Sequence, residues 1–269
     1  MTLLETARGS LEIRELHTIA EMIAAEALQV KVWGKDEIPT PKEILLPVQH
    51  EGGLVAGAFS PAGDLVAMVF SFPTQDPAVC HSHLLATLEE WRGLGIGAAL
   101  KWFQRRWCLA HGIPRVRWTV DPLRAANAEL NIRHLGGTAA TYYLDYYGAM
   151  QGIDAGAPTD RLLVEWDLRS ERVAARENAI PPDRGFPAAA GVNRVERDQL
   201  VRTAAELNGG AILVRIPEAF VSLSRSHPEL ALAWRLHTRA IFQDAFARGY
   251  GVTEFTRVGG PAYLLEKRV

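Results

Sequence analysis

Three glycines at alternate positions, Gly93, Gly95 and Gly97, lie between an apolar stretch at 83–88 and a run at 98–107 that has helical spacing. This order predicts a strand, a glycine-rich turn and a helix. Glycine has no Cβ, so its backbone can approach an anion closely. The first N–H groups of a helix lack partners within the helix and lie at the positive end of its dipole. The pattern therefore predicts a phosphate-binding turn.

The spacing of the glycines narrows the kind of phosphate ligand. No Gly-Lys-Ser or Gly-Lys-Thr follows the glycines, so the turn is not a nucleotide P-loop. A dinucleotide fingerprint would read Gly-x-Gly-x-x-Gly in the first strand–helix unit of a fold. Here the pattern is Gly-x-Gly-x-Gly and it begins at position 93. A dinucleotide-binding enzyme is thus a third, disfavoured interpretation.

The segment from His81 to Gly97 resembles a known family. Arg92-x-x-Gly95-x-Gly97 is similar to the coenzyme A pyrophosphate loop of the GNAT superfamily of acyl-CoA-dependent N-acyltransferases. His81-x-His83, eleven and nine positions before Arg92, resembles the corresponding segment of arylalkylamine N-acetyltransferases. The order of elements that follows the loop also resembles the superfamily. The resemblance covers roughly residues 10–168 and implies an α/β (α+β) fold with a mixed sheet flanked by helices.

The resemblance implies a site for acetyl-CoA or another acyl-CoA, with no metal. The strand before the loop would bind the pantetheine arm through its backbone, and one of its N–H groups would donate to the thioester oxygen. Arg92 would contact the phosphates, and Asn127 would bond the pantetheine arm. The residues implied in coenzyme A binding are Ala86, Thr87, Arg92, Gly93, Leu94, Gly95, Ile96, Gly97, Ala98 and Asn127.

Acyl transfer to an amine requires a base. An alkylamine has a pKa of about 10.4 in water, so it is mostly protonated at neutral pH. The resemblance implicates His83 and His81 in removing that proton, and residues two apart share one face of a strand. On a flat strand the same alternation would put His83 on the face of Thr87, about 13 Å away. His81 would lie about 20 Å from Thr87. A base at these positions therefore requires a bend in the strand.

The general acid is less well defined by the sequence. The superfamily often carries a Tyr seven residues after the helix-start Asn, and counting from Asn127 gives His134. Aligning on Leu135-Gly136 instead gives Ile132. A replacement from the following strand, such as Tyr142, is an alternative. An enzyme without a dedicated acid is another, because a thiol with a pKa near 8.5 leaves easily.

Composition excludes several classes. The chain has 269 residues, 48% hydrophobic, with a formal net charge of −2. The absence of a basic excess argues against nucleic acid and anionic membrane partners. Two cysteines, Cys80 and Cys108, are expected to be reduced core residues. No stretch resembles a signal peptide or a membrane span, so we expect a cytoplasmic protein.

Periodicity predicts the elements that position the loop. A helix is expected over 11–34, a loop broken by prolines over 39–47, and a hairpin of strands at 54–60 and 65–72. A central strand at 81–88, a helix at 96–110 and a strand at 115–121 follow. A helix at 125–135 and strands at 138–147 and 161–168 complete a mixed α/β layer.

The C-terminal part changes character. Residues 170–195 contain several prolines and no periodicity, which indicates a linker or long loop. A strand at 211–216, a long helix at 229–250 and strands at 252–258 and 262–266 follow. We therefore predict three parts, 1–168, 169–195 and 196–269. The last is an α/β half-domain that is either a half-repeat of the first or an unrelated extension.

These observations predict an N-acyltransferase that moves an acetyl group, or another acyl group such as succinyl, from coenzyme A to a small amine or amino acid. The alternative is a non-catalytic acyl-CoA-binding regulatory module. The sequence leaves the acyl group, the acceptor and the oligomeric state open, with a homodimer among the alternatives.

Overall fold

The computed structural model describes residues 1–35, 37–148, 158–196, 199–201, 207 and 209–268. The chain forms two compact units. The first comprises Met1–Trp118 and Asp167–Arg169, and the second comprises Thr119–Trp166 and Ser170–Val269. The boundary between the units therefore differs from the predicted boundary after residue 168. No helix in the described ranges is long and apolar enough to cross a membrane.

The sheet of the first unit follows chain order: β1 (Thr2–Thr6), β2 (Gly9–Glu15), β3 (Leu54–Phe59), β4 (Leu65–Pro73), β5 (Val79–Thr87) and β6 (Arg115–Val120), which begins in this unit. Successive strands are antiparallel up to β5, and β5 and β6 are parallel. The helices are α1 (Ile19–Trp33), α2 (Lys42–His50) and α3 (Ile96–Ala110). β5 therefore lies between β4 and β6, as its predicted central position requires.

The N-terminal helix begins later than the sequence predicted. Leu11 and Ile13 are fully buried at alternate positions of β2, which is the period of a strand. α1 begins after Thr18, whose side chain accepts a bond from the Glu21 backbone while Glu21 caps the Thr18 backbone in return. Gly34 ends α1 with φ at +96°, as predicted.

A second helix occupies part of the proline-rich stretch that the sequence predicted as loop. α2 starts directly after Pro41, where a fixed φ favours helix initiation, and it contains Pro47 near its end. Leu45 of α2 packs with Met22 and Leu28 of α1 against the sheet, in a cluster that also holds buried side chains of β3, β4 and β5. The cost of Pro47 in the helix is thus offset by burial of an apolar face.

The strands of the second unit are hydrogen-bonded in the order β8 (Arg161–Asp167), β7 (Thr138–Tyr143), β13 (Tyr250–Thr256), β14 (Ala262–Lys267), β12 (Ala211–Arg215) and β9 (Ala190–Gly191). β10 (Arg194–Glu196) and β11 (Gln199–Val201) form a separate hairpin. The helices are α4 (Ala125–Ala128), continued by a π-helical segment at Glu129–His134, then α5 (Glu171–Asn178), α6 (Phe220–Ser226) and α7 (Pro228–Ala247).

The C-terminal elements follow the predicted order of strand, long helix, strand and strand, with β14 inserted between β12 and β13. The predicted linker is partly wrong, because Glu171–Asn178 forms α5 with Ser170 as its N-cap. Cys80 and Cys108 are free and buried, as expected. The half-repeat remains a prediction.

Candidate active site

β5 and β6 separate at the middle of β5. Their parallel register runs from Val79 opposite Arg115 to His81 opposite Arg117, whereas β5 continues to Thr87. Throughout this described region β5 stays paired with β4 on its other side, up to Ala67 opposite Thr87. The edge of β5 beyond His81 therefore presents backbone groups to an opening in the sheet, where an extended ligand can add like a strand.

The glycine turn follows this opening. Gly93 and Gly95 have φ of +75° and +76°, a left-handed backbone that favours glycine. Gly95 is the N-cap of α3, and its carbonyl accepts the Ala99 N–H at 3.0 Å. The three N–H groups from Ile96 to Ala98 therefore precede the first bond within the helix. A Cβ built on Gly93 or Gly95 would meet no atom within 4 Å, so the turn is an open cradle for an anion.

The strand and the turn are tied together by side chains. Arg92, which is exposed, donates from Nε to the Thr87 carbonyl at 3.3 Å. Gly97 packs closely on β5, since a Cβ at this position would lie 3.6 Å from Leu85. These contacts hold the start of α3 at the end of β5, where the predicted coenzyme A residues lie.

His83 occupies a β-bulge. The register passes from Phe70 opposite Leu84 to Ser71 opposite Ser82, so His83 is the extra residue of β5. The rings of His81 and His83 lie 6.1 Å apart and both contact Phe72. The bulge brings His83 to the face of Leu84, which packs against the α1–α2 cluster.

The bulge corrects one expectation from the sequence. Leu85 faces α3, and Thr87, two residues further along a regular register, shares that face. His83 therefore lies on the face opposite to the Thr87 side chain, not on the same one. A bulge also bends its strand, which supplies the bend that a base at His83 requires.

Both histidines are biased toward the neutral form. Burial lowers the pKa of His81 to about 4, with smaller contributions from the charges of His83, Arg117 and Lys101. Packing against Phe70 and Phe72 lowers the pKa of His83 through loss of water, although part of its ring stays exposed. At neutral pH each ring has a free nitrogen lone pair that can accept a proton.

A cleft of about 140 Å³ opens beside His83. One wall is His83 and Leu84 of β5, and the other is α1 with the segment that connects α1 to α2. Its apolar lining residues are Trp33, Ile38, Pro39 and Leu84, and its polar ones are Gln29, Glu37, Thr40 and His83. The cleft thus combines apolar surface with a carboxylate and an imidazole.

A buried lysine, which sequence reasoning missed, fixes α3 to the other face of β5. Lys101 Nζ donates to Ser82 Oγ at 3.0 Å and to Gln104 Oε1 at 2.6 Å, and it lies 3.7 Å from the centre of the Trp118 ring. Burial lowers the pKa of Lys101 to about 7. The signal in the sequence was the spacing of Lys101, Gln104 and Cys108, which places polar side chains on a buried helix face.

Residues 16–132 match the model of the acetyltransferase (GNAT) family. This match covers somewhat less than half of the chain. Within these residues the chain is similar to GNAT acetyltransferases, which supports acetyl transfer as its activity. No curated protein matches the sequence.

Solved structures share the GNAT fold with this chain. An N-acetyltransferase from Staphylococcus aureus Mu50 has a TM-score of 0.50 at 13% identity, covering 59% of this chain and 99% of that one. The ribosomal-protein-S18-alanine N-acetyltransferase from Escherichia coli has a TM-score of 0.48 at 17% identity, covering 60% and 95%. The phosphinothricin acetyltransferase from Sinorhizobium meliloti, in complex with AcCoA, has a TM-score of 0.47 at 17% identity, covering 58% and 86%.

The remaining predicted residues lie in the second unit. Asn127 is the third residue of α4, half-buried, and its backbone N–H bonds the Arg124 carbonyl. It is therefore inside the helix rather than at its cap. His134 ends the π-helical segment, 3.7 Å from Glu129, and burial lowers its pKa.

Tyr142, the predicted alternative for the general acid, lies in a hydrogen-bond network with Asp160. Its hydroxyl donates to Asp160 at 2.8 Å, and Asp160 also accepts two bonds of 2.8 Å from Arg239. Burial and the Asp160 charge raise the pKa of Tyr142 well above its usual range. A phenol that holds its proton this tightly is a poor acid for a thiolate, so the structure disfavours that prediction. In the described ranges no cluster of His, Cys, Asp and Glu forms a metal site.

Proposed function

We propose that this enzyme transfers an acetyl group from acetyl-CoA to the amino group of a small amine or amino acid that enters the cleft beside His83. The observation that carries the proposal is the β5 bulge. It puts His83 in the wall of the cleft, while the opened edge of the same strand leads to the glycine turn. Acyl donor and acceptor would thus meet along one strand.

The donor would bind along the opened edge. The pyrophosphate takes the backbone N–H groups from Leu94 to Ala98, and Arg92 adds a positive charge. The pantetheine arm pairs with the free backbone of β5, so that an N–H of Ala86 or Thr87 meets the thioester oxygen. Such a donor stabilises the oxyanion that forms during attack.

The protons and bonds of the proposed acyl transfer balance as follows. An ammonium acceptor loses one proton to His83 through water in the cleft, and the neutral amine attacks the thioester carbon. The carbon–nitrogen bond forms first and gives a tetrahedral intermediate, and the carbon–sulfur bond breaks when that intermediate collapses. The amine loses its second proton as the tetrahedral intermediate collapses, and the coenzyme A thiolate takes up a proton. The products are an amide, free coenzyme A and one released proton.

Thiol release from acetyl-CoA tests the proposal. The acceptor panel contains primary amines, amino acids and a peptide with a free N-terminal alanine, and succinyl-CoA serves as the second donor. We expect acceptor-dependent thiol release with one of the small acceptors. Binding of acetyl-CoA without thiol release for any acceptor would contradict acyl transfer. Release with the peptide alone would contradict a small acceptor.

A further inference from the structure

We propose that Glu37 selects the acceptor: its carboxylate binds the ammonium group of a small amine that has an apolar body and no carboxylate of its own. The inference rests on the proposed function, because it concerns the acceptor in the same cleft. The sequence leaves open whether the acceptor is an amine or an amino acid. The two differ by one negative charge, so a charged group in the cleft can distinguish them.

The charge of the cleft is the first argument. Among the described residues that line it, Glu37 supplies the carboxylate, and burial lowers the pKa of His83, which favours its neutral ring. A lone carboxylate attracts an ammonium group and repels the carboxylate of an amino acid. Apolar contact is offered by Trp33 of α1, Ile38 of the segment between α1 and α2, and Leu84 of β5.

The segment that carries Glu37 is bonded to α1. Gln29, which is 2% exposed, donates from Nε2 to the Thr40 carbonyl at 3.1 Å and accepts the Thr40 N–H at Oε1 at 2.8 Å. These two bonds fix the segment after α1 to the helix, three residues beyond Glu37. Ile38 is 96% exposed, which leaves an apolar side chain at the rim for the body of an acceptor.

The positive charge of Arg117 would favour the opposite kind of acceptor, one that carries a carboxylate. Arg117 pairs with His81 across β5 and β6, and its charge contributes to the low pKa of His81. It is absent from the residues that line the cleft. An acceptor bound through a carboxylate would need Arg117, whereas an acceptor bound through its ammonium group needs Glu37.

Calorimetric titration of the coenzyme A-saturated enzyme distinguishes acceptor binding through Glu37 from acceptor binding through Arg117. The probes are 2-phenylethylamine and phenylalanine, which differ by the α-carboxylate. We expect 2-phenylethylamine to bind at least about tenfold more tightly, and Glu37→Gln to weaken it by about tenfold or more, as for a lost bond to a charged group. Glu37→Asp should retain part of the affinity. The control is Glu43→Gln, since Glu43 is 67% exposed, paired with Lys42, and outside the cleft.

Each other outcome overturns the inference. Unchanged affinity in Glu37→Gln removes Glu37 from acceptor binding, and so does the absence of binding by either probe. Tighter binding of phenylalanine that is lost in Arg117→Gln assigns the selectivity to Arg117. Thiol release distinguishes these failures from failure of the proposed function: release with any small acceptor retains acyl transfer, whereas no release with any acceptor rejects it.

Discussion

The imidazole rings of His81 and His83 lie 6.1 Å apart although a register shift separates their positions along β5. His81 is paired with Phe72, and His83 is the unpaired residue of the bulge. The bulge keeps both rings on the side of the sheet that carries α1 and α2, and His83 alone of the two lines the cleft. This arrangement supports His83, rather than His81, as the base in the proposed reaction.

Replacement of His83 tests that assignment. A general base contributes about 10²–10⁴-fold to rate, so His83→Gln should lower kcat/KM by about that range and keep the affinity for coenzyme A. Steady-state kinetics with a saturating donor, and titration with coenzyme A, measure the two effects. His81→Gln is the matched comparison and should cost less. Full activity of His83→Gln would show that His83 is not the base and would leave His81 or His134 for that role.

The dependence of kcat/KM on pH should also report the protonation of His83. A protonated His83 cannot accept a proton, so kcat/KM falls as pH drops through its pKa. Burial lowers that pKa from 6.5, so the acidic limb should lie below pH 6.5 in the wild type. Of the titratable groups near His83, the His81 ring lies 6.1 Å away and Glu37 lines the same cleft. An unchanged acidic limb in His83→Gln would assign the limb to another group.

Lys101 should make stability depend on pH in the alkaline range. Burial lowers its pKa from 10.5 to about 7, so between these values the unfolded chain binds more protons than the folded one. The free energy of unfolding therefore rises with pH across this window, by up to about 1.4 kcal/mol per unit. Lys101→Met removes this contribution to the pH dependence of the free energy of unfolding. Urea titrations at pH 7 and 9 should show a smaller rise in the variant; equal rises would mean that Lys101 stays protonated.

The second unit should depend on one buried ion pair. Arg235 donates two bonds of 2.7 Å to Asp121, and both side chains are 3% exposed. Arg235→Met removes the bidentate partner of the buried carboxylate, which keeps Arg124 Nε at 3.8 Å and a bond from the Leu123 N–H. The variant should lower the free energy of unfolding by about 3–5 kcal/mol. Arg248→Met breaks the exposed pair with Asp244 and should cost about 0.3–0.5 kcal/mol. Equal urea midpoints for the two variants would contradict a structural role for the buried pair.

The same pair bears on the predicted division after residue 168, which remains a prediction. Asp121 precedes that point and Arg235 follows it, yet both belong to one compact unit. The partner of a buried charge lies 114 positions away in sequence, and no local pattern reports a contact at that separation. The sequence could only show that the C-terminal part has a strand and helix order of its own.

Local signals predicted the centre of the first unit well. The helix over 96–110 and the hairpin of β3 and β4 were confirmed because apolar spacing and turn residues agree there. The glycine turn was confirmed as a left-handed turn that caps α3. The bulge at His83 was not predictable, since a one-residue shift in register depends on pairing with β4 and leaves no mark in the alternation of β5.

Coenzyme A binding by a glycine variant tests the central claim most directly. Gly95→Val adds a side chain where the pyrophosphate would approach, and its Cβ meets no protein atom. Gly112→Val is the matched control, because Gly112 has φ of +75° and an equally open Cβ position beyond the far end of α3. Both variants should lose similar stability from backbone strain. Isothermal titration should show that Gly95→Val abolishes coenzyme A binding and Gly112→Val retains it. Unchanged affinity in Gly95→Val would contradict a coenzyme A site at this turn.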